Sequence, residues 1–89
     1  MVDKPVEKEE IGEVTHYFTD ISVGVIELSG TLKLGDQISI EGATTDLQQE
    51  VGSMQIEHED VTEAGPGDAV GMKVKDRVRE GDIVYKIEE

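Results

Sequence analysis

The sequence predicts an all-β domain, and three observations carry that prediction. Gly-Asp occurs three times, as Gly35-Asp36, Gly67-Asp68 and Gly81-Asp82, each time followed by a short apolar run. Glycine supplies the positive φ of a tight turn, and aspartate can hydrogen-bond the backbone beside it. The runs that follow alternate apolar and polar residues, the period of a strand. Much of the 36% apolar content is Val and Ile, which favour strands.

Taken in order, residues 1–10 read as a flexible acidic tail around Pro5, and residues 11–89 as a single domain. Ile11 to Phe18 is expected to be the first strand, with Val14, His16 and Phe18 on one face. Thr19-Asp20 turns the chain into a second strand over Ile21 to Leu28, apolar on both faces in places and so well buried. Ser29-Gly30 forms a turn, and Leu32 and Leu34 lead into Gly35-Asp36. Gln37 to Glu41 alternates with Ile38 and Ile40 inward, and Gly42 ends it.

Residues 44–58 admit two readings. Leu47, Val51 and Met54 fall at a helical spacing, and Thr45 with Gln48 fits a capping box. As a strand, Leu47, Gln49 and Val51 share one face, while Met54 and Ile56 lie on the other parity. A bulge near Gly52-Ser53 would shift the phase by one and reconcile them. Pattern alone leaves helix and strand level; the all-β context favours the strand. Beyond the turn cluster Glu63 to Gly67, a strand over Asp68 to Lys75 points Val70, Met72 and Val74 inward. Residues 78–81 turn, and Ile83 to Ile87 closes the sheet. About six short strands with turns every 8 to 12 residues or so suggest a closed barrel, which leaves no exposed edge.

Composition excludes several function classes. The 89 residues contain no Cys, so there is no disulfide and no thiolate metal site. The N-terminal residues are charged, without the apolar stretch of a signal peptide, and no apolar run approaches a membrane span. A soluble cytoplasmic protein without membrane contact is expected. Twenty-one acids face eight bases, a net charge of −13 that repels polyanions globally. The charge is uneven. No Lys or Arg occurs from Leu34 to Met72, and four of the eight bases then cluster at Lys73, Lys75, Arg77 and Arg79.

No catalytic constellation is visible. His16 and His58 are far apart, and no serine has a nucleophile-elbow context. Glu57-His58-Glu59-Asp60 is dense enough to attract a hard cation, but neighbours in an extended chain point to opposite faces and make a poor cage. No enzyme, cofactor or metal is expected. The sharpest candidate is the basic strip Lys73, Lys75, Arg77 and Arg79. If extended, it would line up cations about 6.5 to 7 Å apart. It would then contact RNA or a partner, or pair with acids on neighbouring strands.

The motifs also carry a resemblance. Gly30-Thr31-Leu32-Lys33-Leu34-Gly35-Asp36-Gln37-Ile38-Ser39-Ile40 resembles the G-x-L-x-x-G-D-x-I/V-x-I/V stretch of the second domain of translation GTPases such as elongation factor Tu. Val51 to Gln55 resembles that domain's next strand. Ala64 to Val74 is similar to its A-x-x-G-D/E-x-V-G segment, and Arg79 to Val84 to its closing R-G-x-V/L turn and strand. The resemblance runs over Ile11 to Ile87 and implies a closed six-stranded Greek-key barrel, with residues 44–58 extended. Freestanding archaeal copies of this barrel, and the barrel that follows the catalytic part of some collagenase-like peptidases, are similar too.

Two departures bound the function. Nothing matches the phosphate-binding G-x-x-x-x-G-K-S/T of the GTPase domain, so no GTP binding is expected of the chain alone. Tyr17-Phe18-Thr19-Asp20 stands where the factors carry G-R-G-T, so contacts to the aminoacyl end of tRNA do not carry over. The resemblance implies a non-enzymatic module docking on a translation-related protein or ribonucleoprotein. An accessory barrel for a separate enzyme is the alternative, and direct RNA binding through the basic strip a weaker one. Gly30, Gly35, Asp36, Gly67, Asp68, Gly81 and Asp82 are expected to be structural turns.

Overall fold

Three turns of one design organise the chain. In the computed structural model, which describes residues 7–88 and the side chains of 8–87, Gly35, Gly67 and Gly81 have φ of 90°, 92° and 93°. Each Gly is followed by an Asp whose backbone N–H donates to the carbonyl three residues back: Asp36 to Lys33, Asp68 to Gly65 and Asp82 to Arg79, all at 3.1 Å. Each carboxylate then accepts the N–H of that same residue, at 2.9, 2.9 and 2.8 Å. The aspartate thus closes the turn from both its backbone and its side chain, behind a glycine that supplies the positive φ.

Each turn is also pinned to a buried residue on another segment. Gly35 donates to the Val51 carbonyl and Val51 donates to the Asp36 carbonyl, both at 2.9 Å. Gly67 and Asp68 hold Leu28 in the same way, at 2.9 and 2.8 Å, and Gly81 and Asp82 hold Val14, both at 2.8 Å. Val51, Leu28 and Val14 belong to the core. One four-residue device is used three times to fasten a turn to the interior.

The strands are β1 (Glu7–Phe18), β2 (Val23–Leu28), β3 (Leu32–Lys33), β4 (Gln37–Glu41), β5 (Asp46–Glu50), β6 (Gln55–Ile56), β7 (Glu59–Asp60), β8 (Glu63–Ala64), β9 (Ala69–Lys73) and β10 (Ile83–Glu88). The fold is all-β, and every pairing is antiparallel. The main sheet runs β5-β4-β10-β1-β2-β9-β6-β7, with β3 and β8 forming a separate pair. Glu7 pairs with Glu88, so the outer ends of β1 and β10 lie side by side. At the β5 edge a side chain extends the sheet: Gln49 donates to the Lys73 carbonyl and accepts the Lys75 N–H, both at 2.9 Å. One amide therefore links β5 to the segment leaving β9.

The core is aliphatic. Ile11, Ile26, Leu32, Ile38, Ile40, Met54, Val70, Met72 and Val84 are at most 1% exposed, and Tyr17, Ile56 and Val61 pack around them. Complete burial of such a side chain contributes about 1.5–3 kcal/mol. Asp46–Glu50 and Gln55–Ile56 are strands, and the helix reading of residues 44–58 is set aside. Leu47, Val51 and Met54 are all buried, while Gly52 and Ser53 are exposed. The inward phase therefore changes at Gly52-Ser53, and Val51–Met54 leaves the ladder there.

Four expectations need correction. Residues 7–10, placed in the tail, form the start of β1 and pair with β10; residues 1–6 lie outside the described residues. A bulge between Val14 and His16 shifts the phase of β1. Val14 stays buried, but His16 and Phe18 turn outward and Tyr17 packs against the core. The second strand starts at Val23, leaving Ile21 in an exposed turn. The strand expected to reach Lys75 ends at Lys73, and the chain bends at Lys75-Asp76.

Candidate functional site

The basic strip is built by three different local structures. Lys73 is the last residue of β9, Lys75 lies in the bend, and Arg79 opens the turn closed by Asp82. All four basic side chains are exposed, and Val74 and Val78 between them are buried. Because the strand stops at Lys73, the four cations do not share one extended face. They separate into two pairs. Lys73 and Lys75 border a depression of about 500 Å³ with Gln49, Glu50, Gly52 and Ser53. Arg77 and Arg79 border another of about 250 Å³ with Tyr17, Thr19 and Glu80. Among the described residues none of the four makes an ion pair; the pairs present are Lys8–Glu41, His16–Glu80 and Lys86–Asp36. Cross-strand neutralisation of the strip is thus absent there.

The Gly-Asp positions hold the turns described above. Gly30 donates to the Ile11 carbonyl at 3.2 Å, and a β-carbon there would stand 3.1 Å from Ile11 Cγ2, so this turn is packed directly on the core. Glu57-His58 is a tight turn with both φ positive, 52° and 67°, and Asp60 accepts a 2.9 Å bond from Gln55 Nε2. Among the described residues no group of three or more His, Asp or Glu converges on a common point. Among the described residues no helix is long and apolar enough to cross a membrane.

Sequence reasoning missed two groups. The first is Lys8, whose Nζ lies 2.6 Å from Glu41 Oε2 and 5.4 Å from the Tyr85 ring centroid. The Ser39 hydroxyl donates to the same Glu41 oxygen at 2.7 Å. The Lys8 bond, followed by the Ser39 bond, holds the Glu41 carboxyl below its ordinary value. The bond to Glu41 raises Lys8 in return. The second group is the β1–β2 hairpin tip, where Phe18 is 46% and Ile21 57% exposed. The signal available was the turn at Thr19-Asp20, but without the bulge Phe18 falls on the buried face, and Ile21 is exposed because the turn extends to Ser22 and the second strand starts at Val23.

Repeated turn-to-core fastening, an aliphatic sheet and an exposed charged rim define a small all-β module. The chain belongs to the elongation factor Tu domain 2 family, whose model matches residues 22–85. It is 49% identical over 83 residues to an uncharacterized protease of Methanocaldococcus jannaschii, covering 92% of this chain and 20% of that protein. It is 39% identical over 71 residues to elongation factor 1-alpha of Thermococcus sibiricus, covering 71% of this chain and 16% of that one. The chain thus spans about a fifth of the length of the curated relatives it matches. Among solved structures, the C-terminal domain of a Geobacillus thermoleovorans protein described as a U32 peptidase superposes with a TM-score of 0.84 at 20% identity, covering 88% of this chain and 99% of that one. GDP-bound aIF5B from Aeropyrum pernix gives 0.59 at 18% identity, covering 91% and 14%. These two likenesses establish the fold.

Proposed function

We propose that the chain is a non-catalytic docking module that serves a separate catalytic polypeptide of the peptidase kind. One observation carries this reading: at 49% identity, 92% of the chain corresponds to only 20% of an archaeal protease. A likeness that covers 99% of an excised C-terminal domain supports it, since that domain was a self-sufficient folding unit. The module then supplies recognition and its partner supplies chemistry, in the cytoplasm, with no cofactor or metal of its own. This reading takes the sheet as a closed six-stranded Greek-key barrel, and the Gln49 link between β5 and the end of β9 supports closure.

A translation-related role is the second reading, favoured by 39% identity to elongation factor 1-alpha. Affinity purification of the tagged chain from native cytoplasm, read by mass spectrometry, separates the two. Recovery of a peptidase polypeptide supports the first reading. Recovery of ribosomes, tRNA or a translation factor in its place overturns it in favour of the second, and recovery of no polypeptide at all overturns both.

A further inference from the structure

We infer that the β1–β2 hairpin tip and the Arg77–Arg79 loop form one docking surface, fitted to a protein face with an apolar centre and an acidic rim. The inference rests on the docking-module reading and names the surface that would do the docking. Phe18 and Ile21 stand exposed together at the tip, two of the three exposed large apolar side chains among the described residues; the third, Leu34, stands beside the Gly35 turn. Exposed large apolar side chains gathered in one place mark interaction sites. Aromatic and Arg anchors are the residue types that dominate binding energy.

The tip and the loop are locked to each other. Val74 donates to the Ser22 carbonyl at 2.9 Å, and Ser22 is held at φ 55°, a left-handed conformation costly for a serine. A β-carbon at Gly24 would lie 3.2 Å from Val78 Cγ2, so hairpin and loop touch with no gap. Tyr17 walls both the depression of about 390 Å³ under Phe18 and Ile21 and the one beside Arg77 and Arg79. His16 meets the Phe18 ring edge-on with centroids 4.4 Å apart, steadying it in its outward position. A surface ordered before binding loses little entropy on association.

Charge selects the partner. Arg77 and Arg79 are the bases of this surface, with Asp76 beside them, while Lys73 and Lys75 border the other depression, in a chain of net charge −13. Glu80 and Asp20 also border the surface, Glu80 lying 3.4 Å from His16. Arg77 and Arg79 have no carboxylate partner among the described residues, and a carboxylate rim would supply one. An acidic partner is repelled by most of this molecule and meets here two guanidinium groups without ion pairs among the described residues, which orients docking. A nucleic acid would meet the same repulsion without using Phe18 and Ile21 as apolar anchors.

The experiment uses the intact chain and four labelled probes, read by fluorescence anisotropy. They are a 16-residue peptide of alternating Glu and Leu/Phe, its Lys and Leu/Phe counterpart, a Glu and Ser counterpart, and a 12-nucleotide oligouridylate. The expected result is binding of the acidic-apolar peptide at least about tenfold tighter than the other three. F18S/I21S and R77E/R79E should each weaken it about tenfold or more, with melting temperatures near that of the parent. Only the arginine pair should flatten the salt dependence. Equal binding of all peptides, no binding, or indifference to either variant pair overturns the surface. Oligouridylate binding that is lost in R77E/R79E and kept in F18S/I21S also overturns it, in favour of RNA. A polypeptide recovered from cytoplasm equally well by the parent and both variant pairs overturns this surface while leaving the docking-module reading intact.

Discussion

Gly42 and Asp82 meet with no room for a β-carbon between them. An atom built there would stand 2.7 Å from the Asp82 Cγ and closer still to Oδ1. Asp82 is only 4% exposed, and its other oxygen holds the Arg79 N–H at 2.8 Å, so it cannot swing away cheaply. Gly42→Ala is expected to cost about 1–3 kcal/mol by overpacking. Asp82→Ala alone should cost about 1–3 kcal/mol through the orphaned N–H. Because the second change removes the obstacle to the first, the double variant should lose less than the sum. Urea unfolding of the four proteins measures the coupling; strict additivity would mean that the two sites do not collide.

The turn device makes a graded prediction. Gly81 has φ 93°, so Gly81→Ala places a β-carbon in a left-handed backbone and should cost about 1–3 kcal/mol. Gly52 has open space around it and does not have a positive φ. Gly52→Ala should be neutral or stabilise by up to about 1 kcal/mol through the unfolded chain. Thermal melts of the two variants should move apart, and equal shifts would count against the turn geometry.

The Gln49 link should be visible in amide exchange. Gln49→Ala removes two hydrogen bonds, each contributing about 1 kcal/mol. The Lys75 amide, which relies on the side-chain oxygen, should exchange faster. Amides of β4, bonded on the other side of β5, should keep their protection. Loss of protection in both places would show that the amide supports the whole sheet and not one seam.

The Lys8–Glu41 pair predicts a pH dependence whose sign follows from the two shifts. Glu41 is held below its ordinary value of 4.5, so its contribution is present above that value and lost as pH falls through the depressed one. Lys8 is raised above 10.5, so its contribution is complete below 10.5 and lost as pH rises through the raised value. In Lys8→Met, the carbon resonance of the Glu41 carboxyl should titrate part of the way back, because the Ser39 hydroxyl still donates to it. The acid limb of the stability curve should flatten. Both changes should shrink in high salt, as for any exposed pair.

The turns were legible because Gly-Asp encodes them twice, through φ and through the carboxylate. Leu47, Val51 and Met54 were legible as core residues, although their spacing fits helix and strand equally well. Neighbouring strands decided between the two, and a single segment does not contain that information. The face of His16 and Phe18 was not legible. A bulge is fixed by the register against Val25 and Gly24, and one shifted residue reverses every later side chain. The strip of four bases was legible as a cluster and not as a line, because the chain bends at Lys75-Asp76, where the Lys75 N–H meets a side chain distant in sequence, Gln49. Lys8 was hidden by its charged neighbours, whose composition resembles a solvated tail.

The pairing of Glu7 with Glu88 has a topological consequence. Antiparallel partners stand about 4.5–5.5 Å apart, so residues 7 and 88 can be bridged by a few glycines without disturbing either strand. New ends could then be opened at the exposed Glu57-His58 turn, giving a circular permutant with the same interior. The same closeness lets the module be spliced into the middle of a host polypeptide as readily as appended to its end, since its entry and exit points occupy one spot on the surface.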